Sequence, residues 1–162
     1  MFDPDTLSLA QAVLDACRAR YWRLGTAESC TGGLVAAALT SLAGASDVVE
    51  RGFVAYSNKA KMELLGVTGE MLAAHGAVSA QTTAAMANGA LLRAPIDLAV
   101  SVTGIAGPGG GTAQKPVGLV YVGLARKNGQ ARVEQRVFPG DRTEIRRAAL
   151  TLALELLRDE AR

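Results

Sequence analysis

The sequence predicts an α/β domain with helices on both faces of a mixed β-sheet. Three observations carry this. Apolar residues recur at helical spacing near the start, where Leu7, Ala10, Val13, Leu14 and Cys17 stand three and four apart. Residues 97–102 form a largely apolar run of the kind buried on both faces of a sheet. Late in the chain, residues 117–125 and 131–138 flank Lys127-Asn128-Gly129, whose Asn-Gly pair is a strong hairpin signal. Helices alternating with strands early and a hairpin late are the pattern of a mixed sheet.

Taken in order, the spacing predicts a first helix over 6–20 and a short strand over 23–27. An Ala/Leu helix follows over 34–42, stopped by Gly44 and Ser46. Residues 48–56, rich in β-branched and aromatic side chains, fit a strand that ends at Ser57-Asn58. Short helical stretches are expected at 59–65, closed by Gly66, and at 71–74, closed by Gly76. Ser79 is a good N-cap for a helix to about residue 92, with Pro95 marking its end. The last helix starts at Asp141, with Glu144 placed for a capping box and a stripe of Ile145, Ala148, Leu152 and Leu156.

The length of 162 residues is that of one ordinary domain, and residues 1–162 read as a single unit without linker or repeat. Hydrophobic residues make up 49% and charged ones 20%, which suits a packed core rather than a disordered chain. Aromatics are only 4%, so Ala, Val and Leu must build the core, with small residues where helices touch. A net charge of +2, from 17 basic and 15 acidic residues, is too balanced for a nucleic-acid footprint. Cys17 and Cys30 make neither a disulfide framework nor a zinc site, and Cys17 falls in the apolar rhythm of its helix. With no signal-like leader and no apolar run near 20 residues, a cytoplasmic protein without membrane contact is expected.

Three stretches can carry chemistry. Ala27-Glu28-Ser29-Cys30-Thr31-Gly32-Gly33 lies where a strand hands over to a helix. Ser29 there is either a helix cap or a nucleophile, Cys30 is a rival nucleophile, and the N–H groups near Cys30 to Gly32 could hold an oxyanion. A serine nucleophile needs a base. His75, the sole histidine, sits in a helix-stop context; Tyr56-Ser57-Asn58-Lys59-Ala60-Lys61 instead offers a tyrosine and a lysine at a strand-to-helix corner. Lys61 is either a buried base or a solvated turn lysine. The Thr103–Thr112 stretch carries five glycines after a buried strand, and is either an anion cradle or a plain loop. It matches neither the Walker A nor the dinucleotide pattern. Arg142 could add a phosphate contact, or simply be solvated, while Arg146 and Arg147 read as an exposed face.

Together these stretches resemble the C-terminal domain of the CinA (competence- and damage-inducible) family, which includes stand-alone nicotinamide-nucleotide amidohydrolases. The matching residues are Ala27 to Gly33, Val54-Ala55-Tyr56-Ser57-Asn58 with Lys61, His75-Gly76-Ala77-Val78-Ser79, Val102 to Thr112, Lys115-Pro116-Val117-Gly118 and Gly140-Asp141-Arg142. They run in order over nearly the whole chain. The resemblance implies a three-layer α/β/α sandwich and hydrolysis of the carboxamide of nicotinamide mononucleotide. It implies Ser29 as nucleophile, activated by Tyr56 and Lys61. Cys30, Thr31, Gly32, Gly33, Asn58, Thr103, Gly104, Gly107 and Arg142 would bind the nucleotide. No metal and no organic cofactor is expected, and a homodimer suits the small size and Ala-rich helices. Longer family members carry a further N-terminal domain that this sequence is expected to lack, so neither pyrophosphatase activity nor a competence role is carried over. A nucleotide-binding module without turnover, or an amidase on another amide, would use the same residues.

Overall fold

A computed structural model describes all 162 residues. Asp3 caps α1 (Pro4–Ala19) by accepting from the Thr6 N–H, and the five-residue β1 (Leu24–Glu28) follows. Next come α2 (Leu34–Thr40), a single 3₁₀ turn at Ala45–Asp47, and β2 (Val49–Val54). Three helices succeed one another: α3 (Asn58–Leu65), α4 (Gly69–His75) and α5 (Ala80–Arg93). The chain closes with β3 (Leu98–Gly104), β4 (Leu119–Arg126), β5 (Arg132–Val137) and α6 (Arg142–Ala161). The expected elements are all present, with ends moved by a few residues.

The sheet order is β2-β1-β3-β4-β5, parallel through β2, β1 and β3 and antiparallel through β4 and β5. It is therefore the mixed sheet that the late hairpin implied. Leu98, Val100 and Val102 of β3 enter the larger core with Val13 and Leu14 of α1, Leu39 of α2 and Leu154 of α6. Ala99 of β3 and Ala27 of β1 enter the smaller one, with Leu65 of α3 and with Met86 and Ala90 of α5. Both faces are thus covered, giving three layers, and the alternation along each strand decides which layer a side chain meets. No helix is long and apolar enough to cross a membrane.

The chain leaves β1 through α2 to reach β2 on one side, then returns through α3, α4 and α5 to β3 on the other. The carboxyl ends of β1 and β3 therefore meet at a topological switch point, where open α/β sheets form their crevices.

Small residues at helix contacts, expected from the composition, are sharpest at Gly89 of α5. A Cβ there would stand 1.9 Å from the Leu65 carbonyl oxygen at the end of α3. Gly89→Ala should cost about 2 kcal/mol, because that contact is with backbone and cannot swing aside. Urea unfolding of the variant reads this directly, as a lower midpoint with an unchanged slope.

Candidate active site

Strand alternation at the end of β1 splits two neighbouring polar residues. Glu28 turns toward α2, and Ser29, one residue on, turns toward α3. Ser29 still holds the sheet, since its N–H donates to the Val102 carbonyl at 2.8 Å. Its hydroxyl lies in the second layer against Lys61.

Lys61 projects inward from α3. That helix begins one residue after Ser57, whose hydroxyl accepts from the Ala60 N–H and so fixes where the first turn starts. The Lys61 side chain is only 1% exposed. Its Nζ reaches Ser29 Oγ at 2.9 Å, the Ala55 carbonyl at 3.0 Å and the Tyr56 carbonyl at 3.4 Å. No carboxylate pairs with it. Burial pushes the amine below its ordinary pKa of 10.5, with a smaller opposing pull from Cys30. Of the two readings of Lys61, buried group or solvated turn, the buried one describes the fold; Lys59, two residues away, is the exposed member, beside Glu63.

Ser29 is not a helix cap. The N-cap of α2 is Gly33, at φ +98° without a capping side chain, and the cap is supplied from outside the helix. The fully buried Glu28 carboxylate accepts from the N–H groups of Gly33 at 3.0 Å, Val35 at 3.1 Å and Ala36 at 2.9 Å. This carboxylate at a helix start was missed from the sequence, although an acid just before a Thr-Gly-Gly turn and an apolar helix is the available signal. It also changes the count of free donors. Gly33 N–H is committed to Glu28 and Gly32 N–H to the Ser29 carbonyl, which leaves Cys30 and Thr31 N–H with no acceptor in another residue.

Cys30 is a poor rival to Ser29. Its thiol is buried, and burial pushes its pKa up to about 11, far from the thiolate a nucleophile needs. Cys17 is likewise buried, as expected of a core residue. His75 ends α4, exposed, and its carbonyl accepts from Lys115 Nζ at 2.7 Å; it makes no bond to Ser29.

The remaining expected residues separate into those at the surface and those that are spent. Tyr56 is 58% exposed, and its hydroxyl accepts from Arg142 at 2.9 Å. Only its backbone carbonyl meets Lys61, so the phenol is not in the Ser29–Lys61 bond. Arg142, the first residue of α6, also donates to the Gly107 carbonyl at 2.8 Å and so ties the glycine-rich loop to Tyr56. Asn58 is exposed at the start of α3. Thr31 and Thr103 are buried; the Thr103 hydroxyl donates to the Ala77 carbonyl, and that of Thr31 has no partner. Gly104 ends β3, where a Cβ would meet the Leu119 carbonyl at 2.7 Å, and Gly107 adopts φ +79° in the loop beyond.

Arg146 departs most from expectation. It is half-buried rather than part of an exposed face, and its guanidinium donates to the Cys30 carbonyl at 3.1 Å and the Thr31 carbonyl at 2.9 Å. Its place one helical turn beyond Arg142 was the signal available, since residues four apart share a helix face. No group of three or more His, Cys, Asp or Glu side chains is gathered to hold a metal ion.

The chain as a whole is similar to known proteins. The nicotinamide-nucleotide amidohydrolase PncC of Escherichia coli K12 is 48% identical over 97% of this chain and 95% of that protein. A competence-damage inducible relative from Caldicellulosiruptor bescii is 49% identical over 98% of this chain, which spans only 38% of that longer protein. The crystal structure of a competence/damage inducible protein from Agrobacterium tumefaciens superposes with a TM-score of 0.96 at 48% identity, covering 100% of this chain and 99% of that one. The family model of the CinA C-terminal domain matches residues 6–161. The chain belongs to the CinA C-terminal domain family.

Proposed function

We propose that this protein is a nicotinamide-nucleotide amidohydrolase that converts the carboxamide of nicotinamide mononucleotide to the carboxylate, releasing ammonia. The similarity to the PncC proteins supports the substrate class. The observation that carries the chemistry is the buried Lys61 Nζ, 2.9 Å from Ser29 Oγ and without a carboxylate partner.

As an ammonium, Lys61 has three donors for its three acceptors. As a neutral amine it keeps two N–H donors for the Ala55 and Tyr56 carbonyls and turns its lone pair to the Ser29 hydroxyl. The neutral form, favoured by burial, is the one that accepts a proton. Ser29 Oγ attacks the amide carbon while its proton passes to Lys61 Nζ. The carbonyl oxygen becomes an oxyanion, and the free N–H groups of Cys30 and Thr31 are the donors at hand. Collapse breaks the C–N bond, with Lys61 returning the proton so that ammonia leaves. Water then attacks the ester carbon, gives a proton to Lys61, and Ser29 Oγ departs as a restored hydroxyl. Tyr56 acts here through its hydroxyl on Arg142, as part of the wall of the site, and Arg142 with the Thr103–Gly107 stretch holds the ribose phosphate.

Ammonia release by purified protein tests this. Ser29→Ala should lower turnover of nicotinamide mononucleotide by at least about 10⁴-fold while leaving binding of the product nucleotide intact. Near-normal turnover in that variant removes Ser29 from the mechanism. Nucleotide binding by the parent protein with no ammonia would make it a binding module instead.

A further inference from the structure

Arg146 is half-buried on α6, yet no carboxylate pairs with it; its hydrogen bonds go to the carbonyls of Cys30 and Thr31. A cation spent on two adjacent backbone carbonyls fixes two peptide planes. The Cys30 carbonyl shares its plane with the Thr31 N–H, and in a trans peptide the two point in opposite directions. The only cis bond in the chain is Gly107-Pro108, far along the sequence from this turn. Holding the Cys30 carbonyl on the α6 side therefore turns the Thr31 N–H away from α6. The Thr31 carbonyl lies in the next plane, whose N–H, on Gly32, donates back to the Ser29 carbonyl at 2.9 Å. That bond in turn holds the Ser29–Cys30 plane, which carries the Cys30 N–H. Arg146 thus holds two of the three peptide planes of the Ser29–Gly32 turn directly, and the Gly32–Ser29 bond holds the third.

We propose that Arg146 is a positioning residue for amide hydrolysis: it fixes and polarises the Ser29–Gly32 turn so that the free N–H groups of Cys30 and Thr31 are set to receive the oxyanion. This rests on the reading of Ser29 as the nucleophile. A positive charge on the carbonyl end of a peptide strengthens its N–H as a donor, and preorganised donors act on the transition state far more than on bound substrate. The effect belongs in kcat and not in KM. Arg142, one turn earlier on the same helix, grips the loop on the substrate side of the site. The face of α6 thereby divides its two arginines between the substrate wall and the nucleophile turn.

The experiment uses Arg146→Gln and Arg146→Lys in the full chain, with two rates measured. One is ammonia release from nicotinamide mononucleotide; the other is covalent labelling of Ser29 by a fluorophosphonate, followed by mass, which needs no nucleotide. Arg146→Gln should lower kcat roughly 30-fold with KM unchanged, and slow Ser29 labelling in parallel. Arg146→Lys, which keeps the charge but loses the fork, should fall between. Because Arg146 also lines a cavity of about 240 Å³ with Phe2, Leu34, Arg147 and Leu150, added methylguanidinium should enter and restore part of the rate in Arg146→Gln. Unchanged kcat and labelling, or a loss confined to KM, would overturn the proposal. So would a loss that tracks a large fall in melting temperature and is not rescued by lysine or methylguanidinium. If Arg146→Gln does not fold, Arg146→Lys reads the same split between kcat and KM. Labelling of the parent at Ser29 without ammonia release would refute the nucleotide reading and still test Arg146 by the labelling rates. No labelling of the parent at Ser29 would refute the nucleophile, and Arg146 with it.

Discussion

Lys61→Met is expected to release ammonia from nicotinamide mononucleotide on the order of 10⁴-fold more slowly than the parent protein. Methionine fills a similar space with an unbranched chain but offers neither lone pair nor proton. Lys61→Arg should be equally inactive, although it keeps a cation and several donors. A guanidinium does not give up its proton in a protein, so the comparison separates a base from a merely positive group. An arginine variant with a tenth of parental kcat would place the proton transfer elsewhere. The pH dependence follows from the same burial. The proposed mechanism requires the neutral amine, so kcat/KM should rise with pH through the depressed Lys61 pKa and level off above it. Stability carries the matching signature. The folded pKa lies below the ordinary 10.5, so between the two values the unfolded chain binds the extra proton. Unfolding free energy from this group therefore rises with pH across that window, and below it the burial penalty is present in full. Lys61→Met should lose this slope in urea unfolding series taken at stepped pH. A slope that survives the substitution assigns it to another group.

The sequence made the layer order legible because its signals were local and strong. The Asn128-Gly129 turn, the apolar run before the glycine-rich loop and the Asp141/Glu144 capping box each act over a few residues. Ends moved where a cap outvoted periodicity: α1 starts two residues earlier than expected because Asp3 caps it and Pro4 suits the first turn. The resemblance named Lys61, but its burial was not legible, since spacing alone does not say which of two lysines on a short helix points inward. That was decided by α3 packing on α5, where Gly89 lets the helices approach, and by Ser57 fixing the first turn.

What the sequence hid was the division of labour among backbone groups. A helix start after Ser29 suggested several free N–H groups, but which are free depends on side chains arriving from a distance. Arg146 comes from more than a hundred residues away, and Glu28 from across the turn. Charged residues on an amphipathic helix read as solvated by default, and α6 shows why that reading fails for one of them. Its second turn packs against the turn that follows β1, a contact across the chain that no local pattern encodes.

Glu28→Ala is expected to destabilise the fold by about 3 kcal/mol, a fall of roughly 10 °C in melting temperature for a chain of this size. The carboxylate is fully buried and accepts three backbone N–H groups, those of Gly33, Val35 and Ala36. Alanine removes all three acceptors at once, while Gly33 at the N-cap offers no side chain to replace them. Glu28→Gln keeps the shape but puts an amide NH₂ where an N–H already points, so it should lose part of this stability and not all of it. Urea unfolding of both variants checks the order: parent, then Gln, then Ala. The consequence for catalysis is separate and also testable. Glu28 and Ser29 are neighbours on opposite faces of one strand end, so an α2 start that is no longer held frees the turn that carries Ser29. Ammonia release should therefore fall in Glu28→Gln at a temperature where the variant is fully folded, through kcat more than KM. A variant with parental kcat would show that the turn is held by Arg146 and the Gly32–Ser29 bond alone, and would confine Glu28 to the stability of α2.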